Sequence, residues 1–138
     1  MEAKLKIITK QYDELGTIDT IEVKTIGKIF EKNKDIYLVY EESEEGQKIT
    51  TTVKISDEEV SIKRFGNVNS LMLFKEKHKH LTKYKTNQGI FMIETETIKL
   101  IVDKSKKDYI KLNIEYNINI LDLFKGKNEI NMLIEYNI

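Results

Sequence analysis

The chain has 138 residues, and its 23 Lys and Arg balance its 23 Asp and Glu to give no net charge. That size suits one domain, residues 1–138, with a core of its own; the lack of any basic excess argues against nucleic acid as a partner. No Cys is present, which excludes disulfides, thiol catalysis and thiolate metal sites.

The chain opens with "MEAKLKIITKQY", where apolar and charged residues alternate. A spanning helix needs about 20 apolar residues in a row, so the expectation is no membrane segment and a cytoplasmic location. The same alternation, the mark of strands with one buried face, runs through nearly every later segment. In chain order the strand-like runs are "AKLKIITKQY", "DTIEVKTIGKIFE", "DIYLVYEE", "QKITTTVKIS", "EVSIKRF", "NSLMLFKE", "HLTKYKT", "GIFMIETETIKLIVD", "YIKLNIEYNINI" and "EINMLIEYNI". The breaks between them are short and polar, among them "KNKD", "SEEGQ", "GNV" and "NQG". Gaps of that length favour hairpins between antiparallel neighbours. No helical period extends over a helical length; "ILDLFKGK" has room for one helical turn at most.

Two of the runs are too long for a flat sheet. One contains Gly27, and the other changes phase, with Phe91, Ile93, Thr95 and Thr97 on one face and Ile98, Leu100 and Val102 on the other. A bulge or sharp bend near residues 95–98 reconciles the two halves. Long, bent, sequentially paired strands suit an all-β, antiparallel up-and-down barrel of about eight to ten strands, which also removes exposed edges. A two-sheet sandwich is the alternative.

Ile, Lys and Asn are abundant while Pro and Trp are absent, and a coding bias toward A and T accounts for Lys nearly everywhere. It does not account for Arg64, the sole arginine. If Val60 and Ile62 face the core, alternation sends Arg64 inward too. An inward guanidinium costs several kcal/mol of desolvation unless it is paired and hydrogen-bonded. Its partner is either an internal carboxylate, Glu42 or Glu94, or the carboxylate or phosphate of a ligand, which Arg grips bidentately. Tyr40, Tyr116 and Tyr136 sit in apolar phases, Tyr84 shares a face with Thr82 and Thr86, and each buried hydroxyl needs a partner. The candidate lumen-lining residues for a ligand are therefore Arg64, Tyr40, Tyr84, Tyr116, Glu42, Met72, Phe74 and Phe91.

Other features carry less. His78 and His80 have the spacing of two ligands on one strand face, but lysines flank them and no third ligand follows, so no metal is expected. Lys75, Lys77, Lys79, Lys83 and Lys85 align on the outer side of a hairpin, where a solvated face is the simpler reading. No phosphate-binding Gly loop, nucleophile elbow or paired-carboxylate site in a dry setting is present, so neither a cofactor nor a catalytic residue is assigned.

The strands "IYLVYEE", "GQKITTTVKIS", "VSIKRFGNVNSLMLF", "YKTNQGIFMIETET" and "IKLNIEYNI", in this order, resemble those of the bacterial YwiB-like family. The most specific pieces are Tyr37–Glu42, "TTTVKI", the Arg-x-Gly step at Arg64 and Gly66, and Tyr84, Thr86 and Gly89. The resemblance implies a lipocalin-like, or calycin-like, barrel and carries no activity or catalytic residues with it. The expected function is non-catalytic binding of a small, partly apolar, anionic ligand in the lumen. The alternative is a protein- or RNA-interaction module that uses the outer Lys-rich hairpin around a solid core. The oligomeric state, monomer or dimer, is left open by the sequence.

Overall fold

The computed structural model describes residues 1–16, 18–44, 46–66, 69–121 and 123–136, with Glu44 described by its backbone alone. The turn sequences "SEEGQ", "GNV" and "ILDLFKGK" therefore lie partly outside the described residues. Ten strands follow one another: β1 Glu2–Asp13, β2 Ile18–Lys32, β3 Asp35–Glu44, β4 Gln47–Ile55, β5 Val60–Gly66, β6 Ser70–Phe74, β7 Lys79–Thr86, β8 Gly89–Asp103, β9 Tyr109–Ile120 and β10 Phe124–Glu135. Among the described residues there is no helix, and no helix long and apolar enough to cross a membrane. Where a helical turn had room, at "ILDLFKGK", Leu123 N–H instead closes a tight turn on the Ile120 carbonyl at 2.9 Å, and β10 starts at once.

All strands join one antiparallel sheet in the order β6-β5-β4-β3-β2-β1-β10-β9-β8-β7. The two outer strands then meet through a reciprocal Asn69–Lys85 backbone pair, with both bonds at 3.1 Å. The sheet thus curls into a nearly closed barrel, not a sandwich. The hairpins β1–β2, β3–β4, β5–β6, β7–β8 and β9–β10 necessarily gather at one end, which we call the mouth.

Two local devices bend the wall. Gly27 faces the interior of β2, where an added Cβ would lie 2.7 Å from the Val39 carbonyl oxygen and 3.1 Å from Tyr40 Cβ. Only glycine lets the two strands approach this closely. In β8 the register with β9 shifts between Thr97 and Lys99. Ile98 becomes the extra residue and is exposed. The shift returns Leu100 and Val102 to the core side, as the phase change along "GIFMIETETIKLIVD" requires.

Away from the mouth the interior is solid. Leu38, Val53, Ile55, Val60, Phe74, Ile114 and Ile134 have no exposed surface at all. Each such side chain contributes about 1.5–3 kcal/mol of burial. The Phe74 and Tyr116 rings meet across this core at 4.7 Å between centroids, tilted by 51°.

Candidate functional site

Alternation along β5 settles the direction of Arg64. Val60 and Ile62 are buried, Lys63 and Phe65 are exposed, and Arg64 returns to the inner face, half-buried. The strand ends two residues later at Gly66, whose φ of +138° and whose 2.6 Å spacing from a would-be Cβ to the Lys48 carbonyl both exclude a larger residue. That is the structural reason for the Arg-x-Gly step.

Cross-strand register then extends a row of inward side chains from Arg64 in both directions. Tyr40 stands opposite Thr51, and Thr51 opposite Arg64. Arg64 stands opposite Ser70. The antiparallel Asn69–Lys85 bridge sets Ser70 against Tyr84, and Tyr84 pairs with Phe91. Four of the expected lumen residues thus share one row across five cross-strand steps. Glu42 lies two residues nearer the mouth than Tyr40, in the same phase.

Glu42 is the carboxylate that meets the guanidinium. Its Oε2 lies 3.4 Å from Arg64 Nε and accepts a 2.8 Å hydrogen bond from the Thr51 hydroxyl. About a quarter of each charged side chain is exposed, 27% for Arg64 and 25% for Glu42. Glu94, the other carboxylate considered, sits opposite Leu81 and Asn119, in the outward phase between buried Ile93 and Thr95. Tyr40 is buried beside the pair and hydrogen-bonded to Thr51. Burial pushes its phenol above the ordinary value of 10.0; the negative charge of Glu42 adds to this, while Arg64 and the Thr51 bond oppose it. The hydroxyl therefore stays protonated and can donate at any physiological pH.

The remaining candidates fall into two groups. Met72, Tyr84 and Phe91 are half-buried, on the inner face toward the mouth. Phe74 and Tyr116 lie deeper and are buried. Asn128, itself buried, donates to the Tyr116 hydroxyl at 3.0 Å. Burial raises the Tyr116 phenol above its ordinary value, and the Asn128 bond opposes that rise. Opposite Tyr116 lies Thr97, whose buried hydroxyl has no hydrogen-bond partner.

His78 is exposed in the turn before β7, whereas His80 turns inward with Thr82 and Tyr84. Among the described residues, no three His, Asp or Glu come together as metal ligands. Lys79, Lys83 and Lys85 do line the outside of β7. Sequence reasoning missed Thr51 and Ser70, the two inward hydroxyl residues that flank Arg64. Thr51 was detectable, because it alternates in phase between Ile49 and Val53.

The family model described as Domain of unknown function (DUF1934) matches residues 5–132. The chain belongs to this family. A relative, the uncharacterized β-barrel protein YwiB of Bacillus subtilis (strain 168), is 30% identical over 107 residues, which cover 78% of this chain and 75% of the relative. The crystal structure of the ywiB protein from Bacillus subtilis superposes with a TM-score of 0.88 at 24% identity, over 99% of this chain and 92% of that one. The DUF1934 assignment and the ten-stranded barrel agree with the resemblance drawn from the strand order.

Proposed function

We propose that this protein is a non-catalytic binder of a small, partly apolar, anionic ligand, held at the barrel mouth in the manner of lipocalin-like barrels. The observation that carries this reading is the Arg64–Glu42 pair on an inward row, about a quarter of each side chain exposed. A structural ion pair needs no access to solvent, whereas this one keeps about a quarter of each side chain open to water, where an incoming anion can reach the guanidinium. A guanidinium oriented there by Glu42, beside the protonated Tyr40 hydroxyl, can meet a carboxylate or phosphate with its planar fork. Met72, Tyr84 and Phe91 supply apolar and aromatic surface for the rest of the ligand, while the solid core below limits it to a small one.

Native mass spectrometry of protein purified from its own host tests this. The expected result is a bound small acid whose occupancy falls in Arg64→Gln while the melting temperature of the barrel drops by only a few degrees, as a loss of about 1 kcal/mol implies. Ligand-free protein, or a ligand retained equally by Arg64→Gln, would overturn the reading.

A second reading, an interaction surface on the outer wall, is favoured by Lys79, Lys83 and Lys85 flanking Leu81, which is 54% exposed. Charge reversal at Lys77, Lys79 and Lys83 should abolish partner capture, and insensitivity of that capture to salt would count against it.

A further inference from the structure

The barrel wall splits between β2 and β3. Their ladder ends with Lys28 opposite Val39. Beyond that point β2 stays paired with β1 back to Ile18, and β3 stays paired with β4 as far as Glu44. Residues 18–26 therefore present one backbone edge that no described strand covers. Ile21, in the inward phase, is 46% exposed there. The edge contains no Pro, and its register with β1 is unbroken. An edge this long and regular is a template for another strand.

The backbone groups of this edge can be assigned. Ile29 N–H donates to the Met1 carbonyl on the β1 side. By alternation, the odd-numbered residues of β2 bond toward β1 and the even-numbered ones point to the bare edge. Thr20, Glu22, Lys24 and Ile26 thus carry the open donors and acceptors.

We propose that this edge pairs antiparallel with the same edge of a second copy, about a two-fold axis at Val23. The charges select that partner and register. Centred on Val23, Glu22 of each chain faces the partner's Lys24, and Thr20 faces the partner's Ile26, all in positions able to exchange backbone bonds. Centring on residue 22 or 24 sets like charges directly opposite each other, which destabilises an antiparallel pair. Centring on Ile21 leaves both charges without an opposite one. The favoured pairing runs from Thr20 to Ile26 and stops short of the ladder with β3. Its interface is isologous, so the assembly closes as a dimer and does not grow into a fibre. In the single chain Glu22 already contacts Lys24 at 3.7 Å and Lys6 at 3.9 Å, all solvent-exposed. Turning toward the partner therefore sacrifices little.

Analytical ultracentrifugation of the full chain over a concentration series tests the proposal. The expected species at high concentration has twice the 16.2 kDa chain mass. Glu22→Pro removes an edge-facing N–H without touching the β1 ladder, and should give single chains with the barrel's circular dichroism intact. Glu22→Lys and Lys24→Glu should each weaken self-association about tenfold, from two altered charge pairs per dimer. The double reversal should recover it relative to Glu22→Lys. Both of those variants place a new ammonium beside Lys6, so their comparison isolates the cross-strand pair. Single chains at every concentration, a dimer indifferent to Glu22→Pro, or no recovery in the double variant would each overturn the proposal. Should Glu22→Pro fail to fold, the three charge variants decide alone.

Discussion

Removing the charge of Arg64, of Glu42, and of both together measures how firmly the mouth guanidinium is held. At the observed 3.4 Å, the bare attraction of two unit charges is about 1 kcal/mol in bulk water and about 5 kcal/mol at an effective dielectric of 20. Both side chains are about a quarter exposed, so water screens the pair, and their partial desolvation offsets much of the gain. The expected coupling in an Arg64→Gln/Glu42→Gln cycle is therefore about 1–2 kcal/mol, at or above the upper end for exposed pairs. Glu42 keeps the Thr51 hydroxyl in Arg64→Gln, so that single variant should lose only about 1 kcal/mol. Urea midpoints at constant m give all four stabilities. Coupling indistinguishable from zero would mean that solvent screens the pair completely, and the case for an oriented guanidinium would fail. A loss above about 3 kcal/mol in Arg64→Gln would instead mark a buried ionic keystone.

Three further outcomes follow from the wall and core. Phe74→Ala should cost about 3–5 kcal/mol in chemical denaturation, because the ring is fully buried and packs on Tyr116; a loss below about 1 kcal/mol would contradict a solid interior. Gly27→Val should lower stability by about 1–3 kcal/mol through overpacking against the Val39 carbonyl, read as a reduced melting temperature; an unchanged melt would refute the close approach of β2 and β3. Tyr40 and Tyr116 have phenol pKa values raised by burial above 10.0. Below about pH 10 both phenols are neutral whether the chain is folded or not, and stability is full. As pH rises past about 10 the unfolded chain ionises them first, so stability declines. Denaturant midpoints against pH should show that decline, and Tyr40→Phe should flatten it; a decline equally steep in Tyr40→Phe would remove Tyr40 from this account.

Period-two alternation determined most of this protein locally, because a strand's side chains must alternate between water and core. "YIKLNIEYNINI" yields β9 with Ile110, Leu112, Ile114 and Tyr116 all buried, as its pattern demands. The same parity turned Arg64 inward, and desolvation then required a counter-charge. Which carboxylate supplied it was not legible. Glu42 and Glu94 are both glutamates on strands, and only the pairing of β3, β4 and β5 brings one of them to 3.4 Å from the guanidinium. The bulge at Ile98 was visible as a change of phase, whereas the split between β2 and β3 left no trace in the sequence. Alternation reports which face a residue takes, and it is blind to whether a neighbouring strand is there to accept the backbone's hydrogen bonds. That depends on how far the sheet must bend to close, which the tertiary structure alone decides.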